Sequence, residues 1–148
     1  MHDDGIELIA RGVLIGARGL LLCRAIGKDY TFLPGGHIEV AESAHTALVR
    51  EVREELGMKV EVDDFLAVVE CVYTQDAIKH HEVNLVFLMS GPSLERRAKF
   101  TPVEPALEFF WHPITGLNDA NLLPKPLRLL IPQWTRGKHV PWTSDIKE

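Results

Sequence analysis

The window from Gly36 to Met58 reads GHIEVAESAHTALVREVREELGM and constrains the fold more tightly than any other part of the chain. It sets a glycine turn, an acidic helix and a second glycine at fixed separations. Ser43 is a suitable N-cap, and Ala44 to Leu56 contains neither Gly nor Pro. Gly57 stands where a left-handed helix-ending residue belongs, and Met58 follows as an apolar closing contact. At about 100° per residue, Glu51, Glu54 and Glu55 share an arc of roughly 100°. Leu48, Val52 and Leu56 fill the next arc, with Val49 at its edge, so the carboxylates border the buried stripe. Arg50 lies one turn before Glu54 and can pair with it. Arg53 projects from the other side and reads as solvated.

Carboxylates crowded on one helix repel one another, and a divalent cation turns that repulsion into attraction. An acidic surface helix would be unremarked by itself, so the preceding loop carries the argument. Leu33-Pro34-Gly35-Gly36 predicts a tight turn that lets backbone approach a ligand. Its carbonyls could complete a set of hard oxygen ligands. Mg²⁺ takes such ligands octahedrally, keeps several waters and adds phosphate oxygens. Glu42 reaches Arg50 only if the loop folds back over the helix, which would join loop and helix into one rigid unit.

At this point the segment resembles the signature box of the Nudix (MutT-like) hydrolases: Gly, five residues, Glu, seven residues, Arg-Glu-aliphatic-x-Glu-Glu-x-Gly-aliphatic. Gly36, Glu42, Arg50, Glu51, Val52, Glu54, Glu55, Gly57 and Met58 match it without a departure. The flanking strand pattern extends the resemblance loosely from Ile6 to Ile131. The resemblance implies hydrolysis of a nucleoside diphosphate linked to another moiety, with Mg²⁺ or Mn²⁺. It implies Glu51, Glu54 and Glu55 as metal ligands, a carbonyl of Gly35 or Gly36 as a further ligand, and Arg50 with Glu42 as the structural pair. The implied fold is an α/β/α sandwich with a mixed central sheet, formed by one domain over residues 1–148.

Length and composition agree with one enzyme domain. A chain of 148 residues can bury about 68–70% of its unfolded surface in a single core. No apolar run approaches the roughly 20 residues of a membrane span, and MHDDGIE lacks the basic and apolar regions of a signal peptide. A cytoplasmic location is expected, with no membrane partner and a monomer or homodimer as the assembly. Cys23 and Cys71 read as buried thiols in a reducing compartment. The net charge of −5 argues against nucleic acid as a partner.

The remaining elements read coarsely. Strands are expected at Ile6–Ile15 and Leu20–Ala25, joined by Gly16-Ala17-Arg18-Gly19, and at Tyr30–Leu33. Val60–Val62 and Phe65–Tyr73 read as extended, broken by Asp63-Asp64. Glu82–Met89, nearly all apolar, reads as a strand covered on both faces. Ala106–His112 is another strand. Leu123–Ile131 suits a helix with Pro124 and Pro126 in its first turn and Pro132 as its stop. The tail from about Gln133 shows no period, and Trp134 and Trp142 either dock it or support a dimer.

Several residues outside the box are candidates. Arg24 ends a strand near the glycine turn, and a phosphate contact there resembles what family members do; a surface Arg is the alternative. Glu82, beside His80 and His81, is a candidate fourth ligand, base or substrate contact, or a partner for Lys79. Glu108 stands where some relatives carry an acidic ligand, or simply faces water; Glu104 is similar but weaker. His37 could meet a phosphate or remain a solvated loop residue. Tyr73 lies in a region where relatives place specificity residues, and it reads equally as core packing. Gly91–Pro105, with Arg96, Arg97 and Lys99, is either a lid over polyphosphate or a solvated connection. Leu123-Pro124-Lys125-Pro126 stands where a guanine-sanitising relative carries an Asn, although Asn118 and Asn121 lie just upstream.

The chemistry that follows is attack of water on a phosphoanhydride phosphorus, assisted by Mg²⁺ or Mn²⁺. The base is a box carboxylate, Glu82 or Glu108. The expected ligand is a small nucleotide, either a nucleoside triphosphate or a nucleoside diphosphate sugar such as ADP-ribose. A non-catalytic nucleotide sensor on the same domain is the second hypothesis, and the intact Arg50-to-Glu55 run favours the enzyme.

Overall fold

Apolar alternation along two long neighbouring segments generates the sheet that carries everything else. A computed structural model describes residues 5–147. Strand β5 (Glu61–Gln75) and strand β6 (Ile78–Ser90) form an antiparallel hairpin. On the other side of β6 lies β1 (Ile6–Val13), parallel to it. Strand β4 (Gly35–His37) pairs antiparallel with β1, and β8 (Trp142–Ser144) pairs parallel with the far edge of β5. The order of this mixed sheet is β4-β1-β6-β5-β8. A second sheet holds β2 (Ile15–Gly16), β3 (Gly19–Ala25) and β7 (Leu107–His112), all antiparallel.

Side chains alternate across a strand, so each strand feeds two cores. Helix α1 (Ala44–Leu56) covers one face, where Ala47, Leu48, Val52 and Leu56 meet Ala10, Phe87 and Met89. Helix α3 (Leu127–Thr135) covers the other, where Leu127, Leu130 and Ile131 meet Val13, Val69 and Val86. The result is the expected helix–mixed sheet–helix sandwich, with a smaller second sheet added. Cys23 and Cys71 are both free and buried. Among the described residues, no helix is long and apolar enough to cross a membrane.

Several expectations need correction. Asp63-Asp64 does not break β5; register shifts between Val62 and Ala67 absorb it as an irregularity. Strand β6 starts at Ile78, so Glu82 sits inside a strand and not at its mouth. Tyr30–Leu33 contributes only isolated bridges, Cys23 to Phe32 and Thr31 to Leu122, while the glycine pair itself becomes β4. Pro132 lies within α3, because it lacks an amide but not a helical φ, and the helix runs on to Thr135. The tail contributes an edge strand, with Trp134 packed on the α3 core.

The Gly91–Pro105 connection is anchored to the rest of the domain at several points. A short helix α2 (Pro92–Glu95) buries Leu94 in the α1-side core, and the Gly91 amide donates to Glu95 Oε2 at 2.9 Å. Val103 N–H donates to the Glu55 carbonyl at 2.8 Å, and Trp111 Nε1–H donates to the Arg97 carbonyl at 2.7 Å.

Gly35 is the position where a side chain is least tolerable. Its φ is +140°, and a Cβ there would overlap the Ala10 carbonyl of the adjacent strand. Gly35→Ala is expected to lower the melting temperature by about 4–10 °C, from a backbone strain of about 1–3 kcal/mol plus the overlap. Gly27→Ala should cost less, because Gly27 also has positive φ (+88°) but open space around it. Circular dichroism melts of the two variants make the comparison.

Candidate active site

Helix α1 begins and ends as its sequence dictates. Ser43 Oγ accepts from Thr46 N–H at 3.1 Å, and Gly57 takes φ +70° while its amide donates to the Arg53 carbonyl at 2.8 Å. With the helix ends fixed, Arg50 projects toward the loop that precedes it. Its Nε–H and Nη2–H reach the two oxygens of Glu42 at 2.7 and 2.9 Å, a forked carboxylate contact. Nη2 also donates to the His37 carbonyl at 3.0 Å. Nη1 donates to Glu51 at 3.0 Å and to Glu54 at 3.3 Å. Arg50 thus satisfies three carboxylates and one loop carbonyl at once. This fork holds the Glu42 carboxyl down at about 2.

Glu55 has the opposite environment. Burial first, then the neighbouring Glu51 charge, push its carboxyl up to about 8; Arg11 and the Gly35 amide only partly offset this. Its Oε1 is buried and has no hydrogen-bond partner among the described residues. Glu51 lies against Gly36, where a Cβ would strike its carboxylate. Glu54 is the exposed member of the three.

Arg50 draws Glu51 and Glu54 toward itself, and among the described residues no group of three His, Cys, Asp or Glu side chains converges as it stands. The donor set nevertheless fits a hard divalent cation. It consists of carboxylate oxygens, one of them buried and orphaned, beside a glycine cradle with no side chain in the way.

A cavity of about 480 Å³ opens on the sheet face opposite α1. Tyr30, Phe32 and Tyr73 give it aromatic walls, Glu82 and Asn84 lie on β6 within it, and Leu123 and Pro124 close one side. Arg11 connects this cavity to the box. It lines the cavity, donates from Nη1 to the Leu33 carbonyl at 2.9 Å, sits over the Phe32 ring, and its charge reaches Glu55. Arg11 and Lys28, also in the lining, were not singled out from sequence. The only sequence signal for Arg11 is a charged residue inside an apolar strand opposite Gly35.

The other candidates find various partners. Arg24 and Glu108, opposite one another on β3 and β7, form an ion pair, with Nε–H to Oε1 at 2.7 Å. Arg24 also lies over the Phe110 ring. His37 Nε2 is 2.7 Å from Glu7, whose second oxygen meets His80 Nδ1 at 2.7 Å. Glu82 accepts from the Tyr73 hydroxyl at 2.7 Å and does not pair with Lys79. Tyr73 is therefore a cavity residue and not core packing. Glu104 caps the Ala106 amide. Asn121 is committed to structure: it donates to the Asp29 carbonyl and accepts from Arg128.

The family model for the NUDIX domain matches residues 7–133. This chain belongs to the NUDIX domain family. A MutT-like protein of Streptomyces ambofaciens is 41% identical over 58 residues, and the match spans 38% of this chain and 38% of the relative's length. A MutT protein from Methanosarcina mazei Go1 shares the fold with a TM-score of 0.68 at 19% identity, over 93% of this chain and 98% of its own. An ADP-ribose pyrophosphatase from Streptococcus suis matches with a TM-score of 0.57 at 21% identity, over 94% and 98%. A UDP-X diphosphatase matches with a TM-score of 0.58 at 21% identity, over 95% and 68%. At these identities the structural likenesses establish the Nudix fold.

Two predictions follow from the Nudix box geometry. Arg50→Ala should lower melting temperature and activity together, because it releases Glu42 and the loop while leaving three carboxylates uncompensated; unchanged melting with weaker substrate binding would contradict this. In chelator-treated protein, Glu55 makes stability fall as pH rises from about 4.5 to about 8, because its folded carboxyl binds its proton more tightly than the unfolded one. Glu55→Gln should flatten that part of the melting-temperature profile.

Proposed function

We propose that this chain is a hydrolase of a phosphoanhydride bond in a nucleotide derivative, acting with Mg²⁺ or Mn²⁺. The observation that carries the reading is Glu55: a half-buried carboxylate whose Oε1 has no hydrogen-bond partner among the described residues, beside two others, at the box of a Nudix domain. Such an arrangement opposes folding by itself and gains its purpose from a positive ligand. The structural neighbours, a MutT protein, an ADP-ribose pyrophosphatase and a UDP-X diphosphatase, support nucleotide derivatives as the substrate class.

Glu51, Glu54 and Glu55, with the carbonyls of Gly35 and Gly36, would hold the cation. Once bound, it would neutralise charge on phosphate oxygens and make a water more acidic. The protein's own groups do the remaining work. Arg50 and Glu42 keep loop and helix in register. Arg11 and Lys28 line the cavity wall and can take the anionic part of the substrate. Tyr30, Phe32 and Tyr73 can take its flat ring by stacking. We assign proton acceptance from the attacking water to a carboxylate of the box. A bond forms from that water oxygen to phosphorus, and the bridging oxygen leaves with the other phosphate. Glu108 and Glu82 are left out of the proton step, since Arg24 engages the first and Tyr73 the second.

Nucleoside triphosphates and nucleoside diphosphate sugars, screened with Mg²⁺ and with phosphatase-coupled phosphate release, test the reading. Turnover should vanish in EDTA. Glu54→Gln and Glu55→Gln should remain folded and lose about 100-fold or more of kcat/KM, more than loss of a supporting contact to a ligand costs. Tight nucleotide binding without turnover would replace the enzyme by a nucleotide sensor.

A further inference from the structure

We propose that Glu7 is a positioning residue for the cation site. Through His37 it fixes one end of the glycine strand β4, and so sets the affinity for the divalent ion without touching the ion or the nucleotide. This rests on the metal-dependent hydrolase reading and adds a residue outside the Nudix box.

The argument begins with a strand that has almost no side chains of its own. β4 is three residues long, two of them glycine, and it lies at the edge of its sheet with β1 as its neighbour. Glycine fixes its backbone weakly, since it has no side chain to pack and a wide range of φ and ψ to lose. The carbonyls of Gly35 and Gly36, which would be ligands, therefore need holding from either side. Upstream, Leu33 is fully buried, and its carbonyl accepts from Arg11 Nη1 at 2.9 Å. Downstream, the first side chain available is that of His37.

His37 is held at two points. Its carbonyl accepts from Arg50 Nη2 at 3.0 Å, and its ring Nε2 meets Glu7 Oε1 at 2.7 Å. The strand register explains the second contact. Ile9 stands opposite His37 and Arg11 opposite Gly35, so Glu7, Ile9 and Arg11 share the face of β1 on which the His37 ring lies. Glu7 then reaches His37 along the diagonal, a separation that long side chains span. Two side chains of β1, Glu7 and Arg11, thus hold the two ends of the glycine turn.

Glu7 is the fixed member of the pair. It is 7% exposed, whereas the His37 side chain is mostly in solvent, so the carboxylate restrains the ring and not the reverse. Its second oxygen meets His80 Nδ1 at 2.7 Å, and the His80 ring stacks on Tyr73 with centroids 5.0 Å apart. Burial raises the Glu7 carboxyl, but the hydrogen bonds with His37 and His80 outweigh it and leave it below its ordinary value. A buried carboxylate opposes folding unless it is matched in this way. An apolar residue would seal this edge of the sheet without that demand. What the carboxylate adds is a directional hold on the ring. Groups that orient a metal's ligands typically cost about 10–100-fold in metal affinity when they are removed.

The test measures Mn²⁺ binding without nucleotide, by calorimetry and by the EPR signal of free Mn²⁺, beside melting curves in EDTA. Glu7→Ala and His37→Ala should each weaken binding by about tenfold or more. The double variant should be no weaker than either single one, because both remove the same contact. Glu7→Gln should bind as the unaltered protein does, since its amide can accept from one imidazole and donate to the other. His80→Ala keeps the His37 contact and should also keep its affinity. In turnover, the rate of His37→Ala should recover at saturating Mn²⁺ with the nucleotide KM unchanged. Unchanged Mn²⁺ binding in folded Glu7→Ala or His37→Ala overturns the proposal. An equal loss in His80→Ala overturns it too, by making the network structural only. Imidazole-nitrogen coupling to bound Mn²⁺ in pulsed EPR of the unaltered protein would make His37 itself a ligand, and this decides the matter even where Glu7→Ala does not fold. An unaltered protein that binds no Mn²⁺ removes the metal-hydrolase reading together with this one, whereas binding that persists in His37→Ala removes this one alone.

Discussion

The geometry of the site depends on one guanidinium. Arg50 uses its planar fork to hold Glu42 by two hydrogen bonds, and the rest of its donors to reach the His37 carbonyl, Glu51 and Glu54. A lysine could not do this, because a point charge on a flexible stem has no fixed fork. The contact spans two elements. It ties β4, which is bonded to β1, onto α1, which is packed beneath the sheet. With loop and helix joined, Gly36 lies against the Glu51 carboxylate, and the backbone carbonyls stand beside the acidic arc.

That clamp compensates some charges and leaves one out. Glu42 is held ionised by its fork, while Glu55 is pushed the other way by burial and by Glu51. Two carboxylates thirteen residues apart thus end up on opposite sides of the ordinary range. The difference is environmental: one faces a guanidinium and water, the other faces the core and a like charge. Folding retains the unfavourable member, which is how binding sites differ from cores. Arg11 then extends the site through the sheet. It lies opposite Gly35 in the strand register, moderates Glu55 on one side and lines the cavity on the other.

Strand periodicity builds the cavity itself. Cys71 faces Glu82, Tyr73 faces His80 and Val69 faces Asn84 across the β5–β6 ladder, while Glu7 and Ile9 face Glu82 and Asn84 across the β1–β6 ladder. These residues share one face because their positions differ by even numbers. A shift of one residue would turn this polar set into the α1 core. Register is held by the apolar positions farther along β6, where Val86 meets the α3 core and Phe87 and Met89 meet the α1 core.

Local chemistry made much of this legible in the sequence. Ser43, Gly57, the apolar stripe of α1 and the spacing of Glu42 to Arg50 are contacts over short separations, and the helix period places them. The apolar strands were readable from their own local pattern. The sequence did not reveal that Arg24 would spend its charge on Glu108, 84 residues away, or that Tyr73 would donate to Glu82. Nor did it show that the tail would add an edge strand, or that Arg11 and Asn84 would line the cavity. Those outcomes rest on which strands become neighbours and in what register. A helix writes its neighbours at three and four residues along the chain, whereas a sheet assembles them from distant segments, so only the tertiary structure decided who faces whom.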